Sequence, residues 1–179
     1  MGYAGCGAVS EIMEHPPVRD IPVAVAGDLV LVREPGMLVS AGAFTVSSSG
    51  FEFELHVAAD ISDPAVRLPL HMFSVERDWR ADCTWMSIGY ADGRACDASM
   101  LWCTLPGEDS RKSEDIRVGF LFNPDEAGRS SRWWVSPLPP PGPLALTIHL
   151  NGRAGPVGTA SLDAGVLLAA AGMVEKVDA

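Results

Sequence analysis

Glu52, Glu54 and His56 fall on alternate positions of the stretch Phe51 to Ala58, and His149 lies with Thr147 and Asn151 on the polar side of Leu144 to Leu150. If those two stretches are neighbouring strands, Glu54, His56 and His149 bring together one carboxylate and two imidazoles. Such a ligand set suits a zinc-type ion and would make the chain a metal-dependent hydrolase. Alternation by itself predicts a solvated strand face carrying the same charges, so this reading ranks third. Nucleophilic chemistry has less support. Cys83, Cys96 and Cys103 have no histidine beside them in sequence, and with Cys6 they form neither a C-x-x-C pair nor a paired zinc spacing. A G-x-S-x-G elbow, a Walker loop, a dinucleotide fingerprint and an H-E-x-x-H helix are all missing from the sequence. No catalytic residue and no cofactor is expected.

Tryptophan is the other chemical lead, with Trp79, Trp85, Trp102, Trp133 and Trp134 in one chain. Exposed indole faces can stack on sugar rings. Adjacent residues of a strand point to opposite sides, so on the platform reading at least one of Trp133 and Trp134 is exposed. Trp133, Trp134 and Trp102 are therefore the candidate platform for a small ligand or carbohydrate. The competing reading, that these rings are core, is preferred because most tryptophans of a small domain are largely buried.

Positioning such residues falls to short strands. Val23, Val25 and Leu29 to Val32 precede a Glu34-Pro35-Gly36 turn, and Leu38 to Val46 and Phe51 to Ala58 flank Ser47-Ser48-Ser49-Gly50 as a hairpin. Leu68 to Val75 reads as an edge strand because of Pro69. Cys83 to Tyr90 and Arg94 to Cys103 flank Asp92-Gly93, a common hairpin turn, and a Cys83–Cys103 disulfide across it is a minor alternative to buried thiols. Ile116 to Phe122, Trp133 to Val135 and Leu144 to Leu150 complete the strands, with loops at Pro106 to Asp115 and Asn123 to Ser131. A helix over 161–177 is expected to close the chain, capped by Ser161 and packing a stripe of Leu162, Val166, Ala170, Met173 and Val177. The fold class is mainly β: an antiparallel β-sandwich of about eight strands with one C-terminal α-helix. Residues 1–18 read as a mobile tail and 19–179 as a single domain.

Between Trp134 and Leu144 the chain places five prolines in the seven residues Pro137 to Pro143. Extended at about 3.1 Å per residue, the run reaches roughly 20 Å, ample to join sheets stacked about 10 Å apart. Its prolines cannot donate to a ladder, so it reads as a crossover between sheets in preference to a ligand for an aromatic groove.

The same segment carries a resemblance. Gly50-Phe51-Glu52-Phe53, Ala91-Asp92-Gly93-Arg94, the run Arg132 to Leu144 and Asp163-Ala164 resemble an uncharacterised family of actinobacterial proteins. That family has a G-F-E-F hairpin start, an A-D-G-R turn, an aromatic–P-L-P-P-P-G-P-L segment, a strand and a short C-terminal helix. The likeness covers most of residues 20 to 177. It departs at Ser136, where a second aromatic is expected, and after Leu146, which leaves the last strand's path open. It implies the β-rich fold and no activity.

Composition narrows the partners. Acidic residues outnumber basic ones 23 to 13, for a net charge of −10, and the isoelectric point is near 4.7. Such a field repels phosphate backbones and disfavours nucleic acid. Hydrophobic residues at 47% and a mean hydropathy of +0.16 exclude charged disorder. The apolar run Ala164 to Val174 is too short to span a bilayer. Tyr3-Ala4-Gly5-Cys6 resembles a lipoprotein box but has no hydrophobic stretch ahead of it. No membrane association is expected, and the compartment expected is the cytoplasm. The leading function is a non-catalytic protein-interaction module acting through a sheet face or edge, and a small-ligand or carbohydrate-binding accessory domain is the alternative.

Overall fold

Two-residue alternation of buried and outward side chains marks the longer described strands. The structure is a computed structural model describing residues 16–59, 85–99, 116–122, 130–149 and 156–177. Among these residues the strands are β1 (Asp20–Ile21), β2 (Val23–Val25), β3 (Leu29–Glu34), β4 (Met37–Ser47), β5 (Gly50–Ala59) and β6 (Trp85–Gly89). They continue with β7 (Ala95–Ser99), β8 (Arg117–Phe122), β9 (Ser130–Ser136), β10 (Pro143–His149), β11 (Gly158–Asp163) and β12 (Glu175–Lys176). One helix, α1 (Gly165–Ala171), lies between β11 and β12. The architecture is mainly β and sandwich-like, with more strands than the eight or so expected. Trp102, Trp79, the Cys83–Cys103 pair, the Leu68 to Val75 strand, the loop Pro106 to Asp115 and most of the tail and of the loop before Ser130 lie outside the described residues.

Six strands form one antiparallel sheet in the order β2-β4-β5-β9-β8, with β3 also on β4, and four form a second in the order β11-β10-β6-β7. The β4–β5 hairpin turns through Ser48 and Ser49, pairing Ser47 with Gly50, as its serine-rich turn and alternating arms predict. A bulge between Gly42 and Thr45 inserts an extra residue in β4, and there its edge partner changes from β3 to β2. In the second hairpin the Tyr90 N–H donates to Arg94 O at 2.8 Å and the Gly93 N–H to Tyr90 O at 3.0 Å, closing the turn around Asp92-Gly93.

The inward halves of the two sheets make the core. Phe44, Val46, Phe51, Phe53, Leu55, Trp133 and Val135 come from the larger sheet, and Met86, Ile88, Leu144, Leu146 and Ile148 from the smaller. Full burial of such side chains contributes about 1.5–3 kcal/mol each. Phe53 stacks on Phe44 at 5.8 Å and on Phe51 at 6.2 Å, and the buried Trp133 indole N–H donates to Ser131 Oγ at 2.8 Å. Cys96 is buried among them, a small hydrophobe as its composition context suggests.

The proline run leaves β9 in the larger sheet and delivers β10 to the smaller one, so the stiff segment is the inter-sheet crossover its length predicts. Tyr90 ties it to the neighbouring hairpin, its hydroxyl donating to Pro137 O at 2.6 Å. The sheet edges meet at both sides, β11 beside β3 and β7 beside β8. At the first junction the backbone of Gly158 lies against Leu31 O, where any side chain would collide.

The C-terminal helix is shorter than expected, and its start is displaced. Residues 158–163 are not helical: they pair with β10 from Pro143↔Asp163 to Ile148↔Gly158. Ser161 therefore sits in a strand. Asp163 holds the start of the helix differently, its Oδ1 accepting the Gly165 N–H at 2.9 Å. Leu167 and Ala170 are the buried helix residues, whereas Val166, Met173 and Val177 of the expected buried stripe are exposed.

Candidate functional site

Trp133 and Trp134 point to opposite sides of β9, yet both are buried, at 2% and 1% exposure. This burial agrees with the preferred reading of both rings as interior, and the alternative of an exposed platform ring at either position is not formed. Trp133 belongs to the core. Trp134 lies on the outer side of the sheet, opposite Glu52 on β5 and Gly119 on β8. Its indole edge packs over Gly50, where a methyl group would come within 2.6 Å of the ring. A residue without a side chain supplies the space the ring needs. Among the described residues the buried Trp134 Nε1 has no hydrogen-bond partner. Beside it, burial pushes the Glu52 carboxyl above its usual range, opposed in part by the charge of Arg132. Neither tryptophan offers a face to a ligand, and Trp102 lies outside the described residues.

Further along the same outer face Glu54 is the centre of a small ionic group. Arg132 Nη2 donates to Glu54 Oε1 at 2.8 Å, and His56 Nε2 lies 3.5 Å from Glu54 Oε2. The register places these residues side by side, Glu54 opposite Arg132 and His56 opposite Ser130. His149 is not among them. It belongs to β10 in the other sheet, on the outward side of a strand whose Leu146 and Ile148 face the core. The two outer faces look away from each other across the core, so the expected Glu54–His56–His149 site is not formed. The cause is the proline crossover, which carries the chain to the opposite layer between those strands. Among the described residues no group of three or more His, Cys, Asp or Glu is placed to hold a metal ion.

His149 stacks instead on Trp85, its partner in the β6–β10 register, with centroids 3.6 Å apart and planes 3° from parallel. The next row on that face runs Asp97, Ser87, Thr147, Thr159 across all four strands. Its side chains pair laterally: Ser87 Oγ donates to Asp97 Oδ1 at 2.8 Å, and the Thr147 and Thr159 hydroxyls are 3.0 Å apart. A third row, Ala95, Gly89, Ala145 and Ser161, is small and flat. The aromatic–imidazole contact was not read from the sequence, because it joins residues 64 positions apart (His149 and Trp85) through an inter-strand register.

The most distinctive surface is apolar. Of the six large hydrophobic residues exposed among the described ones, five occur at Val18, Ile21, Val166, Met173 and Val177, and Val30 stands apart on β3. Three elements arrange the five. Val166 lies on α1, and Met173 lies in the turn that follows it, where the Met173 N–H donates to Ala170 O at 2.9 Å. The chain then enters β12, which pairs with β1 as Ile21↔Glu175 and Asp20↔Lys176, and the Val177 N–H donates to Arg19 O at 2.8 Å. This ribbon is tied to the sandwich where Asp20 Oδ2 accepts the Ser48 N–H at 2.7 Å. Hydrogen bonds from Ser48 also hold the Asp20 carboxyl below its ordinary value.

No protein-family model, no curated protein and no solved structure matches the chain. No helix among the described residues is long and apolar enough to cross a membrane.

Proposed function

We propose that the chain is a non-catalytic protein-interaction module of the cytoplasm, and that it meets its partner through the apolar surface of α1 and the β1–β12 ribbon. The observation that carries this reading is the exposure of five large hydrophobics, Val18, Ile21, Val166, Met173 and Val177, on α1, the β1–β12 ribbon and the residues flanking them. Exposed apolar surface of this kind is a mark of protein contact. The partner is a protein surface with an apolar centre and a basic rim, matched to a chain of net charge −10. Kinship with the actinobacterial family belongs to the same proposal and adds no activity to it.

Capture from native lysate on immobilised protein tests the proposal. Ile21→Glu and Met173→Glu are expected to reduce recovery of the bound protein at least tenfold, equivalent to about 1.4 kcal/mol. Val30→Glu, at the exposed hydrophobic outside this surface, is expected to leave recovery unchanged. Equal recovery by all three variants, or no protein retained by the unaltered chain, would overturn it.

A further inference from the structure

We draw no further inference here: the strongest candidate, the outer face of the four-stranded sheet with its Trp85–His149 stack and its Ser87–Asp97 and Thr147–Thr159 pairs, presents side chains engaged with one another, and nothing in the structure shows what covers it.

Discussion

The Tyr90 hydroxyl spans the gap between a hairpin and the proline crossover, donating to Pro137 O at 2.6 Å. Burial raises the phenol's pKa well above its ordinary value, and the Arg94 guanidinium, 5.2 Å over the ring, offsets only part of this. Burial therefore favours the neutral phenol, the form that donates this bond. Tyr90→Phe removes that donor and leaves the Pro137 carbonyl without it. The expected loss is about 1 kcal/mol of unfolding free energy, read from urea denaturation as a lower midpoint at unchanged slope. Burial shifts Glu52 in the same direction, over a lower pH range. Its folded-state pKa is raised by burial, so the folded chain holds the proton to higher pH than the unfolded chain does. Its contribution is fully present below the unfolded value, about 4.3, and is lost as pH rises through the folded value. Glu52→Gln cannot ionise. Its stability relative to the parent should rise from pH 4 to pH 7, and a difference constant across that range in pH-resolved unfolding would refute the assignment.

At the scale of elements, the junction of β11 with β3 depends on contact between backbones. Gly158 lies against Leu31 O and the Val32 side chain, and β11 is one of the two edges at which the smaller sheet meets the larger one. Gly158→Val needs the two edges to separate, and overpacking of this kind costs about 1–3 kcal/mol. A lower unfolding temperature is expected, with faster amide exchange in β3 and β11 than in the β4–β5 hairpin. Uniform loss of protection would mean that the junction is not a local feature. Legibility in the sequence follows the range of the interactions. The β4–β5 hairpin is readable because its signals, three serines, a glycine and strict alternation in Phe51 to Val57, are local. The crossover is readable because proline stiffness is intrinsic to the residue. β11 is not, since Leu162 stands four residues from Val166, and a strand residue is thereby counted into a helical stripe. The alternation of Thr159, Ser161 and Asp163 with Ala160 and Leu162 was the signal that could have corrected it. Trp134 escapes for another reason: alternation tells which side of the sheet a ring takes, not whether that side is covered. The crossover also held the information that disposes of the metal site, because a segment that changes sheets places His149 in the layer opposite Glu54.

At the scale of the molecule, the short helix α1 has to serve both the core and the surface. From Val166 to Ala171 the sequence is apolar at every position, so no polar residue marks the solvent side and periodicity cannot choose which stripe is buried. Packing decides it: Leu167 and Ala170 join the core, while Val166 and Met173 remain outside. Folding and binding should consequently separate along this element. Leu167→Ala leaves a cavity in the core and is expected to lower stability by about 2–5 kcal/mol, with partner capture per folded molecule unchanged. Met173→Glu alters a side chain 61% exposed and is expected to stay within about 0.5 kcal/mol of the parent in stability, while capture falls at least tenfold. The charge of −10 adds a condition on the parent chain: capture should weaken as salt is raised through the range where the screening length shortens from about 10 Å to about 3 Å. If Met173→Glu destabilises as strongly as Leu167→Ala, the methionine is serving the interior, and the surface assigned to the partner loses its central residue.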